Sequence, residues 1–384
     1  FGYIFVSAQR RRGEMEKTMK ILIICNFTSG LYKFRGMLIG QLVKRGHELH
    51  VIIPQTEDEN EIEFEKKVQD FHCNLIRIPM ERRGMNPIKD LSLMKQYHQV
   101  IKELKPDHVI TYTIKPNIYA GLVCKHMHIP YSANITGLGT AFQNDGMLKT
   151  LVTTLYKHAF KKCHVVLFEN TANRDIMVDL GIVKKEQTYV LHGAGVDLDR
   201  FKYTSYPNNE IFRFLFIGRV MREKGIDELF SVMKRLNDEG FTCQLDVVGG
   251  YEEDYSDTIK EYEADGWLKY HGYQKDVTPF IQQCDCFVLP SWHEGMANTN
   301  LECASTGRPL ITSYIPGCQE AVEDKVTGYL TEVKNPDDLY GKMKDMLHLT
   351  SSQREEMGKQ GRSKMEREFD KKQVVKETID ALKL

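Results

Sequence analysis

Two glutamates, Glu294 and Glu302, stand with seven residues between them in "SWHEGMANTNLECASTG". Carboxylates accept hydrogen bonds from hydroxyl groups. The apolar run "CFVLP" just upstream reads as a strand, which leaves Glu294 in the loop after it. A helix is expected to begin near Asn298 and to run through Leu301 to Gly307, with Glu302 inside it. Between the carboxylates lie the backbone amides of Asn298, Thr299 and Asn300. Free amides at a helix N-terminus are a place for a phosphate. Further upstream Arg219 closes the strand "FLFIG", and Lys224 precedes Gly225, which opens a helix. Two cations at a strand end beside a helix start suit a diphosphate. Read together, a diphosphate rests on the helix amides beneath Arg219 and Lys224, Glu302 reaches ribose hydroxyls, and Glu294 faces whatever lies beyond the β-phosphate. Either glutamate alone reads equally well as surface charge; the strand, the spacing and the Arg–Lys pair are what favour the nucleotide. No cluster of histidine and cysteine accompanies them, so no metal is expected.

The elements that must position these groups alternate in type. From Lys20, strand-like and helix-like stretches follow in turn: "KILIICNF", "FRGMLIGQLVKRG", "HELHVIIP", "NPIKDLSLMKQYHQVIKEL", "DHVITYT", "NIYAGLVCKHM", "IPYSANIT". Short apolar strands alternating with amphipathic helices imply a doubly wound parallel sheet. Near residue 200 the polar and aromatic "DLDRFKYTSYPNNEIF" suits a link between domains, after which the alternation restarts at "FRFLFIGRV". The expected architecture is α/β, two Rossmann-like domains facing across a cleft, with ligands at the carboxyl ends of the strands. The expected divisions are an extension at 1–18 foreign to the native protein or disordered, a first domain at 19–200, a second at 201–365, and a C-terminal helix at 366–384 that can cross back.

Composition bounds the class. The 384 residues carry a net charge of −1, with 41% hydrophobic and 27% charged side chains. The charge is uneven: residues 1–200 sum to +7 and residues 201–384 to −8. A basic front half attracts anionic partners. There is no basic stripe with interleaved aromatics, which argues against a nucleic-acid module. No apolar run reaches bilayer length. Nine scattered cysteines, several inside apolar runs, read as reduced thiols of a cytoplasmic protein. The stretch "FGYIFVSAQRRRGEMEKTMK" is too short in its apolar part for a signal peptide, and the native start is expected at Met15 or Met19.

The Glu294-x7-Glu302 spacing, "GRVMREKG" and "GAGVDLDRF" resemble the retaining glycosyltransferases of family 4, which have the GT-B fold. "YTIKPNIYAG" and "NITGLGTAF" are similar to bacterial members that build capsule, exopolysaccharide or lipid-linked oligosaccharide, in particular to those adding N-acetylgalactosamine or a related sugar to an undecaprenyl-diphosphate-linked sugar. The resemblance implies roles. Arg219 and Lys224 bind the donor diphosphate and Glu294 contacts the donor sugar. Glu302 binds the ribose, Gly272 and Tyr273 lie where the base is held, and Gly30 approaches the donor phosphate. Here the chain reads "TSGLYKFRG" where relatives often have Gly-Gly, and "YTIKPN" where many carry a histidine, so Lys115 takes over a neutralising role. Lys33, Arg35 and Lys115 follow strands one and four, where an acceptor diphosphate would lie, and the resemblance sets Asn117, Gly137 and Leu138 with them.

The implied reaction moves a hexose or N-acetylhexosamine from a nucleotide sugar, UDP-linked by resemblance, to a lipid-diphosphate-linked saccharide, by a front-side route that retains configuration and needs no metal. The implied place is cytoplasmic, on the anionic inner membrane face. Arg82 and Arg83, and a helix carrying Leu148, Leu151, Leu155 and Phe160 with Lys149, Lys157, Lys161 and Lys162, are the expected contacts. A UDP-sugar 2-epimerase on the same fold and a non-catalytic nucleotide-sugar-binding protein are the other readings. Gly137-x-Gly139 lacks the rest of a dinucleotide fingerprint. Asp197-Leu198-Asp199 mimics a metal motif of a different fold but falls in the link.

Overall fold

The computed structural model describes residues 18–81, 84, 86–139, 142 and 146–384. The expected extension at 1–18, apart from its last residue, and the Arg82–Arg83 pair lie outside the described residues. The first domain runs β1 (Lys20–Ile24), α1 (Thr28–Lys44), β2 (Glu48–Pro54), α2 (Glu59–Gln69), β3 (Asn74–Ile78), α3 (Pro87–Leu104), β4 (His108–Tyr112), α4 (Gly121–Met127), β5 (Tyr131–Ile135), α5 (Met147–Phe160), β6 (Val166–Phe168), α6 (Thr171–Asp179) and β7 (Thr188–Val190). The second runs β8 (Phe212–Ile217), α7 (Ile226–Asp238), β9 (Cys243–Val248), α8 (Ser256–Ala264), β10 (Leu268–Tyr270), α9 (Thr278–Gln283), β11 (Cys286–Leu289), α10 (Asn298–Ser305), β12 (Leu310–Ser313), β13 (Gly328–Thr331), α11 (Pro336–His348), α12 (Ser351–Glu368) and α13 (Lys371–Leu382).

All strand pairs are parallel. The first sheet has the order β3-β2-β1-β4-β5-β6-β7 and the second β10-β9-β8-β11-β12-β13. Strands covered by helices on both faces must be apolar throughout, and Ile21 to Ile24 are all fully buried. In each sheet the order reverses once, between β1 and β4 and between β8 and β11. At those points the flanking loops leave to opposite faces and open a crevice at the carboxyl edge. The loops that follow β8 and β11 carry Arg219, Lys224 and Glu294, so the topology explains why these groups meet.

The helices start where the sequence supplies caps. Asn86 accepts from the amides of Ile88 and Lys89 ahead of Pro87, and Thr350 forms a reciprocal capping box with Gln353. The last helix returns to the first domain: Val374, Val375, Ile379 and Leu382 of α13 share a buried cluster with Ile21, Leu38 and Leu42. All nine cysteines are free and buried.

The basic amphipathic reading of residues 147–162 is corrected in its geometry. Phe160 is fully buried and Leu155 packs on the first domain's core, while Leu148 and Leu151 are exposed. Lys161 and Lys162 follow the other end of α5, roughly 20 Å away for a helix of this length. Lys161 and Lys162 are thus separated from the exposed Leu148 and Leu151, whereas Lys149 lies between those two leucines and the exposed Lys157 stands farther along the helix.

Candidate active site

The two carboxyl edges border a cavity of about 660 Å³ lined by both domains and by α13. Arg219, Tyr273, Asn298, Thr299 and Glu302 line it from the second domain, Lys33 from α1, and Lys371 from the start of α13. Glu302 lies one turn into α10 and is half-buried. Burial pushes its carboxyl up to about 7, against the opposing pull of Arg200, Lys371 and Lys33. Burial also lowers the Lys371 ammonium below its ordinary value, opposed by Asp197 and Glu302. Arg219 is half exposed and pairs with Glu252 at 3.1 Å.

Lys224 and Glu294 form an ion pair, both side chains largely buried, outside the cavity's own lining. Their meeting follows from the two loops at the β8/β11 reversal. Lys224 ends a short 3-10 turn, Arg222–Lys224, and Gly225 then takes a left-handed φ of +71°. A Cβ at Gly225 would stand 2.1 Å from the Pro290 carbonyl oxygen, so only glycine lets the β8 loop lie this close to the β11 loop. The Trp292 amide donates to the Glu223 carbonyl at 2.9 Å and fixes the register between them.

The first turn of α10 differs from expectation. No side chain caps it, yet the Asn298 amide donates to the Met296 carbonyl at 3.0 Å and the Asn300 amide to the Ala297 carbonyl at 2.9 Å. Two of the three amides expected to be free are thus spent in the turn that enters the helix. Asn300 is also fully buried, its side-chain amide donating to Thr312 Oγ1 at 3.1 Å, so it ties α10 to β12 rather than facing a ligand. Asn298 and Thr299 do line the cavity.

Several first-domain expectations are corrected as well. Gly30 is buried beside Phe27, whose ring a Cβ would meet at 2.4 Å, and it is not among the residues lining the cavity. Arg35 is buried in an ion pair with Glu169 and stacks over Tyr112, leaving no charge free for an acceptor. Lys33 does line the interdomain cavity, near Phe64 and Tyr273, at 5.2 and 5.9 Å from their ring centres. Asn117 is buried, accepting from Thr111 Oγ1 at 2.7 Å and donating to the Asn134 carbonyl at 2.8 Å, a clamp between β4 and β5. Lys115 is paired with Asp90 at 3.0 Å at the edge of a second hollow of about 540 Å³, which Lys89, Glu57 and Gln96 also line. Leu138 packs on the first domain's core, and Gly137 touches Gly295 of the Glu294 loop. Gly272 has a φ of +63° and Tyr273 is 55% exposed at the cavity.

Three features of the cleft have no counterpart among the residues expected from sequence. Lys371 reaches the cavity from the far end of the chain and donates to the Lys33 carbonyl at 3.1 Å. Thr113 holds a φ of +73° at the β1/β4 reversal, bonded to Asn26 at 2.7 Å. A β-branched residue there is strained, and strain of this kind collects at functional sites. Asn170 bridges the domains. Asn170 is legible as the N-cap of α6, but nothing local marks its reach to the second domain or the places of Lys371 and Thr113.

Residues 20–170 match the family described as glycosyl transferase 4-like, and residues 197–364 the one described as glycosyl transferases group 1. The chain belongs to these glycosyltransferases. It is 29% identical over 346 residues to the N,N'-diacetylbacillosaminyl-diphospho-undecaprenol alpha-1,3-N-acetylgalactosaminyltransferase of Campylobacter jejuni, covering 86% of this chain and 89% of that one. It is 26% identical over 278 residues to the UDP-Gal:alpha-D-GlcNAc-diphosphoundecaprenol alpha-1,3-galactosyltransferase of Escherichia coli, covering 68% and 71%. Anabaena Alr3699/HepE, solved with UDP-glucose, shares the fold at a TM-score of 0.77 and 16% identity, covering 95% of this chain and 99% of that one. The glycosyltransferase has the two facing parallel-sheet domains of the GT-B fold, and the crevices of both sheets open on its cleft.

Proposed function

We propose that this glycosyltransferase moves a hexose or N-acetylhexosamine, with retention, from a UDP-linked donor to a polyprenyl-diphosphate-linked saccharide at the inner membrane face, and that it does so without a metal ion. One observation carries the reading: Arg219, Glu302 and the start of α10 surround one interdomain cavity, with the Lys224–Glu294 pair fixed at the same sheet reversal. Support for the acceptor comes from two relatives whose names describe diphosphoundecaprenol-linked acceptors.

Breaking the bond from the anomeric carbon to the donor phosphate builds positive charge on the sugar and negative charge on the leaving diphosphate. Arg219 and Lys224 stabilise the diphosphate, and Glu294 accepts from sugar hydroxyls and orients the ring. The leaving phosphate oxygen takes the acceptor's proton as the acceptor oxygen bonds to the same face. Closure of the domains keeps water from taking the acceptor's place.

Turnover is tested with the purified chain, a panel of UDP- and GDP-sugars, and a short polyprenyl-diphosphate N-acetylglucosamine acceptor, in excess EDTA. The expected result is nucleotide release that depends on acceptor and yields a lipid-linked disaccharide of retained configuration. Activity that EDTA abolishes and Mg²⁺ restores would overturn the metal-free assignment. Free epimer formed without acceptor would turn the reading to a 2-epimerase.

Glu302 makes donor binding depend on pH. The folded chain keeps its proton up to about 7, whereas an exposed carboxyl releases it near 4.5. The half-buried neutral acid therefore contributes stability below 4.5 that is lost as pH rises through about 7. In the same window the carboxylate becomes the better acceptor for ribose hydroxyls, so affinity for a UDP-sugar should rise between about pH 6 and pH 8. The diphosphate diester of a UDP-sugar does not itself titrate there. Calorimetry should show that slope in the native chain and a flat, weaker profile in Glu302→Gln; a slope that survives the substitution assigns it elsewhere.

The membrane reading rests on a different set of residues from the lysines of α5. Ile88 and Leu91 at the start of α3 are 83% and 55% exposed, and Met147 at the start of α5 is 91% exposed beside exposed Leu148 and Leu151. Both helix starts follow strands and so project at the carboxyl edge of the first sheet. Apolar side chains on such a rim enter the interface of a bilayer, and nearby Lys95 adds attraction to anionic lipid of about 1 kcal/mol, while Lys89 is paired with Glu81. Liposome flotation should fail when Leu91, Met147, Leu148 and Leu151 are changed to serine. Charge reversal at Lys161 and Lys162 should leave it intact.

A further inference from the structure

The loop that carries Glu294 is clasped by the first domain. The side-chain amide of Asn170 donates to the Gly295 carbonyl at 2.6 Å. On the other side of the same residue, a Cβ on Gly295 would stand 1.8 Å from the Thr136 carbonyl oxygen and 3.3 Å from the Gly137 Cα. Asn170 is itself nearly fully buried. Its Oδ1 accepts from the Asn173 amide at 2.8 Å and caps α6, so one amide group serves two elements in two domains. Its backbone is held too: the neighbouring Glu169 forms the buried ion pair with Arg35 of α1, and the Glu169 carbonyl accepts from the Gly193 amide of the interdomain link at 3.3 Å.

We propose that Asn170 is a positioning residue for glycosyl transfer, holding the Gly295 carbonyl so that Glu294 and Lys224 are fixed at the reacting sugar only when the cleft is closed. The inference rests on reading the cleft as the donor site. Arg219, Glu302 and Tyr273 belong to the second domain alone, so a nucleotide can bind there before closure. The Gly295 carbonyl and the Asn170 amide are on different domains, so their bond exists only after it. Loss of the bond therefore weakens the closed state and slows turnover without weakening the first encounter with nucleotide. An incompletely closed cleft also admits water, so a larger share of donor is hydrolysed rather than transferred.

The two roles of Asn170 are separable. Asn170→Asp keeps an acceptor for the Asn173 amide and so keeps the cap, since aspartate caps as well as asparagine. It has no N–H for the Gly295 carbonyl and sets a carboxylate against it. Asn170→Ser also caps but is too short to reach. For Asn170→Ser the expected result is a melting temperature close to native, whereas the buried charge of Asn170→Asp lowers it; for both, UDP affinity stays within about three-fold of the native chain and kcat falls by about ten-fold or more. The ratio of hydrolysis to transfer should rise, and small-angle scattering with UDP bound should show a larger radius of gyration. A kcat within about two-fold of native, or a loss matched by an equal loss of UDP affinity, would overturn the proposal. If the native chain transfers no sugar from any donor, the glycosyl-transfer reading falls, and scattering alone still decides whether Asn170 holds the cleft closed. Serine serves as the working variant if aspartate does not fold.

Discussion

Gly295→Ala is expected to lower kcat by about a hundred-fold or more while leaving each domain folded. The added methyl would stand 1.8 Å from the Thr136 carbonyl oxygen and 2.8 Å from its carbonyl carbon. Both atoms are backbone of the other domain, so no side-chain rotation relieves the overlap. The contact exists only with the domains together, and opening the cleft removes it. The cost therefore falls on closure and not on the fold of the second domain, where Gly295 has no left-handed backbone to defend. Thermal unfolding should be close to native and UDP should bind within a few-fold, while transfer collapses. A misplacement of about an ångström in the reacting groups is enough for a hundred-fold loss. If Gly295→Ala turned over at the native rate, the closed arrangement of Gly295 against Thr136 and Gly137 would have no part in catalysis.

Lys224→Ala is expected to reduce kcat by about a hundred- to a thousand-fold, the range for removing one charge-stabilising donor from a preorganised site. Two effects add. The leaving diphosphate loses a cation, and Glu294 is left as a largely buried carboxylate without its partner. Glu294→Gln should cost a similar amount, because the neutral amide no longer holds Lys224 in place. The pair then behaves as one unit, and the double variant Lys224→Ala/Glu294→Gln should be no worse than either single one. Full additivity, measured as kcat with saturating donor, would show that the two residues act on separate steps. Glu302→Gln serves as the contrast, since its loss should fall on donor affinity.

The location of the candidate site is proposed from the amino-acid sequence by local rules. Alternating strand and helix periods require a doubly wound sheet, and such a sheet presents its post-strand loops at one edge. The loops with chemistry in them can thus be identified: Arg219 and Lys224 after one strand, Glu294 after another, Glu302 one turn into the next helix. The choice among cations in the first domain is not legible. Arg35, Lys33 and Lys115 look alike in sequence, each a basic residue shortly after a strand. Arg35 is removed from the cleft by Glu169, which follows β6, and Lys115 is paired with Asp90 of α3. Lys33 is left on the interdomain cavity because α1 turns it toward Tyr273 of the other domain.

By itself, then, the sequence determined the class of fold, the restart near residue 200, the glutamate pair and its Arg–Lys companions, since each follows from periodicity, capping and spacing within a few residues. The tertiary structure decided which charges remain available. It gave Arg35 to Glu169, turned Asn117 and Asn300 inward as clamps, placed the exposed apolar residues and the terminal lysines of α5 at opposite ends, and brought Lys371 and Asn170 to the cleft, a reach that nothing local marks. The physical reason is that a buried charge or amide must find a partner. That partner is whichever group the packing of distant elements brings within about 3 Å, a distance that no spacing along the chain encodes.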